Sequence, residues 1–210
     1  MKRFKEMPLM GILRGVKLPI LERLTETIVL SGMNTVEITM NTPDAGSLIK
    51  KMSKLAGKRL NIGAGTVLTM ADLETALHAG ASFIVSPCCI PEIMRYCKQN
   101  NIPVFPGALT PQEIHSAWSQ GAAMVKVFPA SFFGPKYIRE LLGPFNDMLL
   151  MAVGGVRLEN ITEYFTCGAQ AVAVGSSVFD LKQIHAGDFQ SIKDSLLTLI
   201  KKVKQVRSRF

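Results

Sequence analysis

Short apolar runs return along this chain at a nearly regular interval, and no other feature restricts the possible folds as strongly. They occupy 9–13, 35–40, 61–64, 83–86, 103–105, 124–128, 149–153 and 171–174, each rich in Val, Ile, Leu or Phe with little period-two alternation. Strands buried on both faces, as in a parallel sheet, read in this continuous way. The segments between the runs carry helical spacing, as in Leu21/Leu24/Ile28 and Ile192/Leu196/Leu199/Val203. Thr110-Pro111-Gln112-Glu113 has the composition of a capping box with proline at the first helical position, and Gly134-Pro135 opens another helix. Gly32, Gly80, Gly121 and Gly168 each stand just ahead of a run, where a left-handed C-cap is wanted. Eight strands alternating with helices, in units of roughly 20–27 residues, predict an α/β architecture: a single-domain (β/α)8 TIM barrel over residues 1–210. An open doubly wound sheet competes with it. The count of eight, and the lack of Gly-x-Gly-x-x-Gly after the first run, favour the barrel.

Composition narrows the class. Of the 210 residues, 48% are hydrophobic and 19% charged, which excludes a disordered chain and supplies one large core. No stretch reaches the roughly 20 unbroken apolar residues of a spanning helix. Residues 1–8 are charged and no apolar core follows them, so no secretory signal is expected. Four cysteines without a Cys-x-x-Cys spacing predict a reduced, cytoplasmic protein. The net charge of +8 is mostly a tail, because Lys201, Lys202, Lys204, Arg207 and Arg209 crowd the last ten residues without an acid and leave +3 elsewhere. A basic helix over 189–210, its cations suited to the C-terminal dipole, explains this better than nucleic-acid binding. Neither a nucleic acid nor a membrane is expected as partner.

Three charged residues interrupt the runs. Glu37 lies within Thr35-Val36-Glu37-Ile38-Thr39-Met40, Lys126 within Met124-Val125-Lys126-Val127-Phe128, and Arg14 ends Met10-Gly11-Ile12-Leu13-Arg14. Strand alternation puts Lys126 on the face of Met124 and Phe128, inside the barrel, with Val125 and Val127 against helices. Runs two and six are both even-numbered, and alternate strands share an interior layer, so Glu37 and Lys126 should face each other across the barrel mouth. A buried ion pair is one reading. Burying two charges costs several kcal/mol per ion, however, which favours a working site. A lysine desolvated among Val, Phe and Met, beside the like charge of Arg14, becomes partly free amine. A free amine condenses with a carbonyl to a Schiff base, whose imine accepts the electrons of a breaking carbon–carbon bond. Glu37 is the carboxylate placed to transfer the protons.

Ala152-Val153-Gly154-Gly155-Val156 and Ala173-Val174-Gly175-Ser176-Ser177 end the last two runs in glycine turns, where (β/α)8 enzymes frequently hold phosphate on backbone N–H groups. Gly63-Ala64-Gly65-Thr66 offers a third turn, and Ser86-Pro87 and Phe128-Pro129 should wall the pocket. His78, His115 and His185 fall in or beside helical segments, so no metal site is expected, and Cys88-Cys89 is given a minor pocket-wall role at most. Besides an aldolase, the pattern admits another phosphate-binding barrel enzyme, an isomerase or synthase without an imine, or a regulatory barrel without turnover.

In this order the pieces resemble the 2-keto-3-deoxy-6-phosphogluconate / 4-hydroxy-2-oxoglutarate aldolase family of class I aldolases, from about residue 9 to residue 179. The resemblance rests on Gly11-Ile12-Leu13-Arg14, Val36-Glu37-Ile38-Thr39, Ile62-Gly63-Ala64-Gly65-Thr66-Val67, Ile84-Val85-Ser86-Pro87, Val125-Lys126-Val127-Phe128-Pro129-Ala130, Gly154-Gly155-Val156 and Val174-Gly175-Ser176. It implies Lys126 as the Schiff-base residue and Glu37 as the general acid/base. It further implies Arg14 and Thr66 at the substrate carboxylate and carbonyl end, Pro87 and Phe128 as walls, and phosphate on Gly154, Gly155, Gly175 and Ser176. A phosphorylated keto sugar acid would be cleaved to pyruvate and an aldehyde, without cofactor or metal, by a homotrimer. Asn41 and Val153 stand where the gluconate-specific pattern has arginine and threonine, and they look closer to the galactonate branch. The two phosphorylated epimers and 4-hydroxy-2-oxoglutarate therefore all remain candidate substrates.

Overall fold

A computed structural model describes residues 2–208. The strands are β1 (Leu9–Leu13), β2 (Thr35–Thr39), β3 (Asn61–Gly65), β4 (Ile84–Val85), β5 (Val104–Phe105), β6 (Gly107–Ala108), β7 (Val125–Val127), β8 (Leu150–Val153) and β9 (Ala171–Val174). The helices are α1 (Lys2–Glu6), α2 (Leu21–Ser31), α3 (Ala45–Ala56), α4 (Met70–His78), α5 (Pro91–Gln99), α6 (Pro111–Ser119), α7 (Pro135–Leu142), α8 (Ile161–Thr166), α9 (Leu181–Ala186) and α10 (Phe189–Arg207). All strand pairs are parallel, in the order β5-β4-β3-β2-β1-β9-β8-β7-β6.

The two ends of that order are halves of one strand. Pro106 separates β5 from β6, so the fifth of the expected runs continues beyond residue 105. β5 pairs with β4, and β6 pairs with β7. Proline has no N–H for the ladder, but its carbonyl still accepts from Lys126 N at 2.9 Å. The ring closes through it as an eight-position TIM barrel.

Two apolar layers follow from strand alternation. Val36, Ile38, Val125, Val127, Val172 and Val174 face outward and pack beneath the helices. Met10, Phe83, Phe105, Met124, Met151 and Ala171 fill the barrel interior. The expected helical stripes are both buried, Leu21/Leu24/Ile28 on α2 and Ile192/Leu196/Leu199/Val203 on α10. Thr110 forms its capping box with Glu113, and Gly32, Gly80, Gly121 and Gly168 all adopt positive φ. The basic helix ends at Arg207, whose Nη1 donates to the Lys5 carbonyl at 2.6 Å. Arg209 and Phe210 lie outside the described residues.

Residues 2–8 have a structural use that composition did not indicate. α1 lies across the N-terminal end of the barrel and buries Phe4, 2% exposed, edge-on to Phe105 at 5.8 Å between centroids; Phe105 in turn meets Phe83 at 5.7 Å. This aromatic stack packs the floor of the barrel, beside a smaller cavity of about 310 Å³ that Phe4, Phe105, Met124 and Arg207 border. Truncating the plug, Phe4→Ala, should cost about 3 kcal/mol in urea unfolding, because the vacated volume lies against rigid β-strand side chains.

Candidate active site

At the C-terminal ends of the strands lies one cavity of about 860 Å³. Arg14, Glu37, Thr66, Pro87, Lys126, Phe128, Gly154, Gly155, Gly175 and Ser176 all border it. Neither Cys88 nor Cys89 does, and His78, His115 and His185 sit on α4, α6 and α9. Of the two departures, Val153 lines the cavity and Asn41 does not.

Glu37 and Lys126 form its base. β2 and β7 carry them into the interior, with only 1% and 6% of their surfaces exposed. They do not form an ion pair: no nitrogen–oxygen approach within 4.0 Å links them, and Glu37 Oε2 has no hydrogen-bond partner among the described residues. Phe128 covers the amine, its ring centroid 4.9 Å from Nζ. Room for the carboxyl comes from the neighbouring strand, because a Cβ on Gly65 would overlap Glu37 Oε1 and Cδ. Burial raises the Glu37 carboxyl above its ordinary 4.5, with Lys126 and Arg14 opposing. Burial lowers the Lys126 amine below its ordinary 10.5; Glu37 opposes this and Arg14 reinforces it. Both groups are thus driven towards their neutral forms.

Thr66 occupies left-handed backbone space at φ 54°, a costly conformation for a β-branched residue. It follows β3, and its hydroxyl lies 3.5 Å from Arg14 Nη2. These two groups stand at one side of the opening.

The turns after β9 and β8, next in the ring beyond β1, offer backbone. Gly154 and Gly155, at φ 94° and 74°, turn the chain after β8. The Gly154 carbonyl accepts from Ser131 N at 3.1 Å, and the Gly155 carbonyl accepts from Asn160 Nδ2 at 2.9 Å. In a trans peptide the N–H points opposite its carbonyl. Pinning those two carbonyls therefore aims the N–H groups of Gly155 and Val156 the other way, and neither has an acceptor among the described residues. Asn160 Oδ1 also accepts from Arg157 N at 2.9 Å, and Ser177 Oγ donates to the Val156 carbonyl at 2.9 Å. The turns after β8 and β9 are stitched together in this way, with successive N–H groups left for an anion. Ser177, the last residue of the turn read from the sequence, borders the same cavity, as do Arg157 and Lys182, which the sequence reading does not single out. Arg157, two residues beyond Gly155, was the available signal; Lys182 lies on α9, seven residues beyond Gly175.

Comparison with known proteins decides the family. The model of the KDPG and KHG aldolase family matches residues 1–195. The chain belongs to the KDPG and KHG aldolase family. It is 35% identical over 175 residues to a probable 2-dehydro-3-deoxy-6-phosphogalactonate aldolase of Rhizobium meliloti (strain 1021), covering 83% of this chain and 82% of that one. It is 30% identical over 171 residues to a 2-dehydro-3-deoxy-phosphogluconate aldolase of Pseudomonas aeruginosa, covering 81% and 77%. A solved structure described as native KDPGal superposes with TM-score 0.90 at 28% identity, over 97% of each chain. As a member of an aldolase family, the chain is a carbon–carbon lyase.

Two variants of this aldolase check the account of the site. Gly65→Ala should displace the Glu37 carboxyl and lower kcat by about 10²-fold, with a cooperative unfolding transition retained. Lys126→Met should raise the urea midpoint near neutral pH, since it removes a buried amine whose charged form burial disfavours. With the folded amine below 10.5, the unfolded chain binds more protons between the two pKa values, so the wild type gains stability as pH rises through that window. The variant's advantage should then shrink towards pH 10.5, as read from urea unfolding at a series of pH values.

Proposed function

We propose that this aldolase cleaves phosphorylated 2-keto-3-deoxy-aldonates, of the gluconate or galactonate series, and 4-hydroxy-2-oxoglutarate, to pyruvate and an aldehyde through a Schiff base on Lys126. The supporting observation is the pairing of a desolvated amine with an unpartnered, desolvated carboxyl at the closed end of a cavity whose mouth carries free N–H groups. The Lys126 amine adds to the C2 carbonyl, and loss of water leaves a protonated imine. Removal of the C4 hydroxyl proton breaks the C3–C4 bond, and its electrons enter the imine to form an enamine while the aldehyde departs. Protonation at C3 and hydrolysis release pyruvate and return the free amine. Glu37 accepts and donates the protons of these steps. Arg14 and Thr66 take the substrate carboxylate end, Pro87 and Phe128 wall the chain of carbons, and Gly154, Gly155, Gly175 and Ser176 receive the phosphate.

Membership of this family, and an amine whose charged form burial disfavours, support this reading over an isomerase or synthase using Lys126 as a charge. We also read the protein as a cytoplasmic homotrimer. A reducing compartment suits four cysteines held as free thiols, and the exposed Phe132 and Phe133 beside Tyr137 form an apolar face for neighbouring copies.

Borohydride reduction with pyruvate should add the reduced pyruvyl mass to a peptide containing Lys126, and Lys126→Ala should abolish the adduct. Glu37→Gln should retain pyruvate binding and lose about 10²–10⁴-fold in kcat. Turnover by a wild-type enzyme that never yields a trapped imine would overturn the reading.

A further inference from the structure

The anion cradle has an outer layer of side chains. Arg157 lies two residues after Gly155 and borders the cavity, while Lys182 borders it from the segment after β9. Arg157 Nε stands 3.3 Å from Glu159 Oε2, with 63% and 69% of the two side chains exposed. In a chain with 24 Lys+Arg, this is the sole ion pair among the described residues, and it sits at the cavity mouth. So exposed a pair is weakly held, because water screens it and two long side chains lose freedom in forming it. A phosphate offers the same guanidinium a bidentate, charge-assisted contact and a second negative charge. Asp180 also borders the cavity, but its Oδ1 already accepts from the Lys182 backbone N–H at 2.6 Å. Backbone N–H groups carry only partial charges, so the cradle alone leaves much of a dianion's charge uncompensated.

Resting on the reading of this cavity as an aldolase site, we propose that Arg157 is a specificity residue that leaves Glu159 for the terminal phosphate of the substrate. Glu159 then sets how strongly phosphorylated keto acids are preferred over unphosphorylated ones. Until a phosphate arrives, the carboxylate holds the guanidinium and weakens the pull of the mouth on other small anions. Lys182 contributes a second positive charge to the same opening.

The test compares kcat/KM for whichever 6-phosphorylated epimer the wild type cleaves with that for 4-hydroxy-2-oxoglutarate, in wild type, Arg157→Gln, Glu159→Gln and the double variant. The phosphorylated-to-unphosphorylated ratio should fall about tenfold in Arg157→Gln, carried by KM for the phosphorylated substrate. It should rise about threefold in Glu159→Gln, where the competitor for the guanidinium is gone. The double variant should match Arg157→Gln, since Glu159 acts through Arg157. Inorganic phosphate as a competitive inhibitor gives a second readout, with a Ki that rises in Arg157→Gln. A ratio and Ki unmoved by Arg157→Gln, or a ratio that moves the same way in both single variants, overturns the proposal. Borohydride trapping run in parallel separates the two levels. An adduct on Lys126 with an unmoved ratio removes only the role of Arg157, whereas no adduct in wild type removes the aldolase reading itself.

Discussion

Desolvation inside a closed ring of parallel strands holds Lys126 and Glu37 in an environment that opposes charge, and the rest of the site is arranged around that opposition. In water an amine is protonated and a carboxyl ionised at neutral pH. The barrel interior weakens both tendencies, since Met124, Phe128 and the ring of strands replace solvent around the two groups. A direct ion pair would have restored both charges. No such pair forms, and the amine and the carboxyl border one cavity with burial opposing the charge of each.

That arrangement depends on how differently the two ends of the barrel are built. The N-terminal end is filled by Phe4, Phe83 and Phe105, with no polar group among them. The C-terminal end is polar, and its turns are fixed by a few side-chain hydrogen bonds, those of Asn160 and Ser177 above all. The aromatic side chains of the floor lie between the buried amine and the N-terminal end of the barrel. A stitched rim holds backbone donors in place without placing a full charge next to Lys126. Besides Arg14, which acts on both buried groups, the cavity has side-chain cations at Arg157 and Lys182.

Much of this was legible before any coordinates. β1 and β9 coincide with the runs 9–13 and 171–174, because a strand buried on both faces tolerates little but aliphatic side chains. The four positive-φ glycines at or just after helix C-caps were legible because few other residues accept their backbone conformation. Elsewhere the local signal was too weak. α1 is five residues with one apolar anchor, too short to display a period. Pro106 obscured the continuation of the fifth strand, since proline ordinarily argues against a central strand position. The capping box of Thr69 and Asp72 has aspartate where glutamate or glutamine is the usual partner, so it does not match the customary pattern.

Residue identity by itself determined which groups could react, because a charged side chain within an aliphatic run admits few explanations, and strand alternation assigned Lys126 and Glu37 to one interior. Only the tertiary structure decided that Glu37 Oε2 has no partner among the described residues, that Gly65 makes room for its carboxyl, and that Ser131 and Asn160 each hold one glycine carbonyl and so orient the N–H behind it. These are relations between chain segments that meet only when the barrel closes. Period and composition report each segment's own burial, whereas distance and orientation between segments arise from the way the strands pack.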